Sequence, residues 1–256
     1  MSRRIACVFA HPDDETFCVG GIVAKYASLG NEISLWCATN GDAGKSAGVP
    51  VSSREELADL RRSELLAACR ILGIETVEMG GYSDGAVAQA DPIQLTGYIV
   101  AFLRRQRPDV VLTFGPEGAP TAHRDHAAIS RAATAAFFLA GLRSAFREQG
   151  LEPHAAQRLF YHAWEFPLPD PRLTVESVPY TCAVDVREFK SRKESAFKAH
   201  ATQQGSAHAF YSSALKNVEH LALAAGVPQP SAMMTDLLDG LTGRSRSSAP
   251  NRDPIA

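Results

Sequence analysis

The sequence predicts an α/β protein built as a doubly wound, mostly parallel sheet with helices on both faces, of the Rossmann-like kind. Three observations predict it. The segments Arg4 to Ala10, Glu32 to Thr39 and Asp109 to Phe114 are continuous apolar runs of strand length, as strands covered on both faces of a parallel sheet should be. Amphipathic segments lie between them, so strand and helix alternate through the first half of the chain. The first strand also runs directly into the polar cluster "HPDDE", at the carboxyl edge where such sheets bind ligands.

Each element has its own signals. After the first strand, a helix is expected from about Glu15 to Leu29, interrupted by the pair Gly20 and Gly21, whose cost of about 1 kcal/mol each points to close packing of helix on sheet. The second strand is followed by Asn40 to Ser53, rich in Gly, Ser and Pro and expected to be a mobile loop at the ligand edge. Ser53 is placed to cap a helix that Gly73 stops, and Asp91 with Pro92 starts another that runs towards Asp109. The third strand leads through a Gly/Pro loop to the stretch Thr121 to Phe137, where His123 and His126 fall on what reads as the first turn of a helix. Beyond about Leu151 the pattern weakens. "RLFYHAWEF" (158–166) and "YTCAVDV" (180–186) read as strands, and "REFKSRKESAFKAHATQ" (187–203) as a helix. Residues 1–243 are expected to form one domain, and 244–256, polar and without periodicity, a disordered tail.

Composition limits the function classes. With 26 Lys plus Arg against 28 Asp plus Glu, the formal net charge is -2, so a general attraction to nucleic acid or to anionic membrane is not expected. The charged cluster interrupts the N-terminal apolar run before it reaches signal-peptide length, and no segment approaches the roughly 20 apolar residues of a membrane span. The five cysteines are odd in number, scattered and set in apolar surroundings, which predicts reduced core thiols and a cytoplasmic protein. A small-molecule partner fits best; the sequence leaves the oligomeric state open.

The chemistry concentrates in two places. His11 and Asp14 are three apart across a Pro-containing turn and can converge on one point, while Asp13 can lean over that point without joining the ligands. A catalytic Zn²⁺ site uses three N or O ligands and keeps a fourth position for water, so a third ligand is needed. His123 and His126 supply it: they share a face at the start of a helix after the third strand, one for the metal and the other for the substrate. Asp125, beside both, is the expected partner that fixes an imidazole's tautomer.

These residues resemble the LmbE-like, or PIG-L-like, zinc-dependent N-acetylglucosamine deacetylases. "AHPDDE" (Ala10 to Glu15) is that family's signature and "HRDH" (His123 to His126) its H-x-D-H element, with Arg124 where proline often stands. An R-x-x-E helix, Arg61 to Glu64, and a late "KAHATQ", Lys198 to Gln203, extend the resemblance over roughly the first two hundred positions. It implies that His11, Asp14 and His126 hold Zn²⁺ and that Asp13 is the general base. It further implies that His123 stabilises the oxyanion, as imidazolium, or acts as general acid, oriented by Asp125. The implied reaction is removal of an acetyl group from the amide nitrogen of an N-acetylglucosamine-type sugar or conjugate. Arg61, Asp42, Asp84 and His200 are the residues expected to meet the substrate.

Plainer readings stand beside these. Asp13 or Asp14 could simply cap the first helix; Arg61 is by default a solvated charge paired with Glu64 or Glu56. Asp42 and Asp84 sit where turns favour Asp next to Gly. Cys18 reads as core, and His154, His162 and His220 as surface or satisfied core residues. A metal-dependent phosphoesterase is the alternative function and would need two metals. A dinucleotide-binding module would need a Gly-rich turn where the carboxylates of "HPDDE" stand instead.

Overall fold

The computed structural model describes residues 2–163, 165–167, 174–176, 179–230 and 233–242. Its strands are β1 (Arg4–Phe9), β2 (Glu32–Thr39), β3 (Thr76–Tyr82), β4 (Val110–Phe114), β5 (Arg158–His162), β6 (Glu165–Pro167), β7 (Thr174–Glu176), β8 (Cys182–Asp185) and β9 (Val218–Gly226). The main helices are α1 (Asp14–Ser28), α2 (Arg54–Leu72), α3 (Pro92–Gln106), α4 (Arg124–Leu139) and α5 (Lys190–Ala199). Seven strands form one sheet in the order β3-β2-β1-β4-β5-β9-β8, with β1 to β5 parallel and β9 antiparallel to both β5 and β8.

This order follows from the connections. From β1 the chain steps outward to β2 and β3 through α1 and α2, then α3 returns it to β4 on the other side of β1. Right-handed crossovers put the outward and returning helices on opposite faces. Accordingly α1, α2 and α5 pack together, and α3 packs on α4. Where the winding reverses, between β1 and β4, the carboxyl ends of the strands open a crevice.

The caps match expectation. Ser53 Oγ accepts from Glu56 N, Gly73 adopts φ 88°, and Asp91 accepts from the amides of Ile93 and Gln94. All five cysteines are free and buried, and no helix among the described residues is long and apolar enough to cross a membrane. Other expectations are corrected. The run 158–166 is not one strand: β5 stops at His162, and β6 pairs with β7 in a separate ribbon. The run 187–203 is not one helix, since 3₁₀ turns at Arg187–Phe189 and Ala201–Ser206 flank α5. The expected tail, 244–256, lies outside the described residues.

The glycine pair in α1 has a specific structural use. At Val19 (φ −136°) the helix breaks, which frees the amides of Gly21 and Ile22; Glu219 on β9 accepts both, at 2.9 and 2.8 Å. A Cβ at Gly21 would stand 2.8 Å from Glu219 Oε1 and from Val186, whereas at Gly20 it would meet only the Lys193 stem, at 3.1 Å. Gly21→Ala is therefore expected to destabilise by about 1–3 kcal/mol through overpacking, despite the roughly 1 kcal/mol gained in helix propensity. Gly20→Ala should cost less. Urea denaturation of the two variants checks this, and equal midpoints would contradict it.

Candidate active site

β1 delivers the first group. Asp13, the N-cap of α1, has φ 132°, a costly conformation for a residue other than glycine. Two contacts hold it there: Arg61 Nη2 donates to the Pro12 carbonyl at 2.6 Å, and Asp13 N donates to Glu15 Oε2 at 3.0 Å. Capping does not explain the aspartates. The Asp13 side chain makes no capping bond, and Asp14 turns back to accept from His11 N at 2.7 Å.

β4 delivers the second group through the start of α4. His123 is the N-cap, its Nδ1 accepting from Asp125 N at 3.2 Å. The neutral His123 ring thus carries its proton on Nε2, as a donor. His126, whose ring stacks on Phe114, sets Nδ1 3.3 Å from the Gly118 carbonyl and donates to it; its Nε2 lone pair is left facing the crevice.

The two groups meet. His11 Nδ1 lies 3.1 Å from His126 Nε2 and 3.5 Å from Asp14 Oδ2, and Asp14 Oδ1 lies 3.4 Å from His126 Nε2. A tetrahedral zinc with N and O ligands at about 2.0–2.1 Å would space its donors by about 3.3 Å, so this buried trio could hold such an ion. The charge state points the same way. Burial would raise Asp14, but His126 and His11 hold its carboxyl well below the usual carboxylate range. Burial lowers His126, which stays a neutral ligand type. Burial also opposes charge on His11, yet Asp125, Asp14 and Asp84 hold it well above the usual imidazole range. Asp14 faces Nδ1 of that ring, and Asp84 and Asp125 face Nε2 on its other side. The donors of His11, His123 and His126 also lie within 4.8 Å of one another, with His123 Nδ1 engaged by Asp125 N.

Asp13 lines the same cavity, its carboxylate 3.3 Å from Arg61 Nη2. Burial pushes its carboxyl up to about 7, with Arg61 pulling it down and Asp14 pushing it further up.

Several expected contacts are corrected. The Asp125 carboxylate does not orient His123. It accepts from Gly85 N (2.8 Å) and Ala88 N (3.0 Å), and with Asp84 it faces His11 Nε2, at 3.4 and 3.1 Å respectively. Arg61 is no solvated charge paired with Glu64 or Glu56. It is 2% exposed, bonded to the carbonyls of Pro12 and Gly41 and 3.3 Å from Asp13. Gly41 and Gly44 leave room for its guanidinium, since a Cβ at either would fall inside it. Asp42 is occupied by Asp84 N and Arg54 and holds the loop that carries Asp84. His200 is fully buried behind Glu15, 2.9 Å from Oε1, away from the cavity. Burial lowers its pKa, but Glu15 outweighs this and holds it above the ordinary value.

The cavity, about 230 Å³, is lined by His11, Asp13, Asp14, Arg61, Asp84, His123 and His126, with Phe17, Thr121, Gln203 and Ser206 completing its wall. Thr121 and Ser206 carried no signal in the sequence, because a loop residue shows no period and earns attention only from what the fold sets beside it.

A family model described as "PIG-L: GlcNAc-PI de-N-acetylase" matches residues 6–137. A 1D-myo-inositol 2-acetamido-2-deoxy-alpha-D-glucopyranoside deacetylase from Rhodococcus erythropolis is 34% identical, over 90% of this chain and 93% of its own. Among solved structures, N,N'-diacetylchitobiose deacetylase from Pyrococcus horikoshii is similar with TM-score 0.69 and 20% identity, covering 87% of this chain and 84% of that one. A 4-carboxy-2-hydroxymuconate hydratase from Pseudomonas putida KT2440 matches as well, at TM-score 0.69 and 21% identity over 90% and 99%. At such identities the structural likeness shows the fold alone, and a hydratase that shares it shows that the reaction must be read from sequence relatives and site.

Proposed function

The chain belongs to the PIG-L family and is a deacetylase of the amide-hydrolase class, and from that premise we propose that it hydrolyses the acetamide of a small N-acetylglucosamine glycoside, with one divalent metal, zinc, held by His11, Asp14 and His126. The observation that carries this reading is the set of 3.1–3.5 Å approaches among His11 Nδ1, His126 Nε2 and the two Asp14 carboxylate oxygens, assembled from two turns 115 positions apart. The relative from Rhodococcus erythropolis, named for a glucosaminyl-inositol acetamide, supplies the substrate type.

A metal bound there supplies Lewis acidity and makes water nucleophilic near neutral pH. Asp13 takes the proton of the attacking water, since its carboxylate lines the same cavity as the trio and makes no capping bond. His123 donates from Nε2 to the developing oxyanion. With Asp125 N on its Nδ1, Nε2 is the ring nitrogen that faces the oxyanion. Asp13, holding the proton from water, returns it to the departing nitrogen, so the carbon–nitrogen bond breaks to give acetate and a free amino sugar. Asp125 and Asp84 fix the His11 ring, and Arg61 braces the Asp13 turn.

The phosphoesterase alternative is disfavoured by geometry. The second donor group, His11, Asp84 and Asp125, shares His11 with the first, so two metals would need both ring nitrogens as ligands and a fully deprotonated imidazole. The carboxylates of Asp13, Asp14 and Asp84 in the wall would repel a phosphate.

Incubating the metal-loaded protein with a panel of N-acetylated amino sugars and glycosides should release one free amine per acetate. Phosphate release from aryl phosphates, with no amine from any acetamide, would overturn the reading. The base must be ionised, so kcat/KM is expected to fall as pH drops through an acid limb governed by Asp13, whose carboxyl burial places near 7 in the metal-free protein. Arg61 favours the ionised form, so Arg61→Gln should move that limb to higher pH. An unmoved limb would separate Arg61 from the base.

A further inference from the structure

We propose that Lys193 and His200, neither of which lines the cavity, are positioning residues that set the direction of the turn carrying Asp13 and Asp14. The inference rests on the assignment of those two aspartates made above.

The break in α1 is where Lys193 acts. In a continuous helix the amides of Gly21 and Ile22 would bond the carbonyls of Phe17 and Cys18. Here they go to Glu219, and the freed Phe17 carbonyl accepts from Lys193 Nζ at 3.0 Å. Lys193 Nζ also donates to Glu219 Oε1 at 2.7 Å and to the Ala214 carbonyl at 2.9 Å. A buried ion pair from α5 and β9 is thus inserted into the hydrogen-bond ladder of α1, a recognised cause of helix kinks. The result is a separate first turn, Asp14 to Cys18, whose angle to the rest of the helix is set by Lys193 and Glu219. Such a pair is a poor source of stability, because desolvation offsets its attraction. What it supplies is a fixed geometry.

His200 grips the other end of the same turn. Its Nε2 donates to Glu15 Oε1, which also accepts from Thr16 Oγ1 at 2.5 Å, and Glu15 Oε2 accepts from Asp13 N. Both His200 and Glu15 are 0% exposed. The chain of bonds from His200 therefore ends on the amide of the residue held at φ 132°. Thr202, two positions on, donates from N and Oγ1 to Glu64 at 2.9 and 2.6 Å, one turn along α2 from Arg61, which braces Pro12 and Asp13. The R-x-x-E pair and the "KAHATQ" segment, unexplained by chemistry at the metal, are in this way one scaffold around the catalytic turn.

The test uses the full chain loaded with Co²⁺, whose visible d–d bands report ligand geometry, alongside kcat and KM on an N-acetylated amino sugar. His200→Phe keeps the ring volume but loses the donor; His200→Gln keeps a donor; Lys193→Met combined with Glu219→Gln replaces the ion pair by neutral groups. His200→Phe and the double variant are expected to melt cooperatively, keep KM within about twofold, shift the cobalt bands and lose about 10- to 100-fold in kcat. His200→Gln should recover most of the kcat. Wild-type bands and kcat in both variants would overturn the inference, as would a kcat loss that only follows the fraction of folded protein, or no recovery with Gln. Asp14→Ala serves as reference: if it keeps the cobalt bands, the site assignment itself fails, a result distinct from failure of the positioning role.

Discussion

Asp14→Ala and His126→Ala are each expected to leave the protein without tightly bound metal and without measurable turnover. Both residues sit in the donor cluster, and both are buried, so solvent cannot reach in to replace them without cost. The expected chemical loss is large because a bound metal would make water a nucleophile near neutral pH, and without it hydroxide must come from bulk solution. His154→Ala is the control. Its Nε2 lies 2.7 Å from the Pro108 carbonyl, where it has no connection with the trio, so this variant should keep its metal. Metal analysis of the purified proteins decides the matter, and equal metal content in His126→Ala and His154→Ala would reject the ligand assignment.

Asp13→Asn should behave differently: metal and substrate binding retained, kcat down by about 10² to 10⁴, the usual contribution of a positioned general base. Asparagine keeps the shape and can still meet Arg61 Nη2, 3.3 Å from Asp13 Oδ2 in the parent, but it cannot take a proton. Nor should it add backbone strain, since Asn is among the residues that best tolerate positive φ. Loss of metal in this variant, or near-normal kcat at full occupancy, would reverse the roles of the two neighbouring aspartates.

The half of the fold nearest the site was the legible half. β1 and β2 are buried along nearly their whole length, so their composition shows it, and the Ser53, Asp91 and Gly73 caps are local devices with local residue preferences. β3 was not anticipated: it is an edge strand, only part-buried and interrupted by Gly80 and Gly81, so neither continuity nor alternation marks it. β9 was missed for a related reason, since in "VEHLALAAG" Glu219 points inward to serve the break in α1, a use that no period reveals.

The site shows the same division. Spacing alone brought His11 near Asp14 and His123 near His126, because each pair lies within one turn. It misdirected Asp125, whose sequence neighbours are His123 and His126 but whose carboxylate, on the inner face of α4, meets His11 and the loop after β3. His200, expected to meet the substrate, lies outside the cavity lining, whereas Arg61 lines it while bracing the Asp13 turn. Their burial against Pro12, Gly41 and Glu15 is a tertiary fact, fixed by how α2 and α5 pack beside α1.

The account depends most on one metal ion serving one amide hydrolysis, and stoichiometric reactivation tests that directly. Protein stripped with a chelator is titrated with Zn²⁺ while acetate release from an N-acetylglucosamine glycoside is followed. The account predicts no turnover before addition and a linear rise that breaks at one equivalent per chain. Full activity in the stripped protein, or a break only at two equivalents, would contradict it.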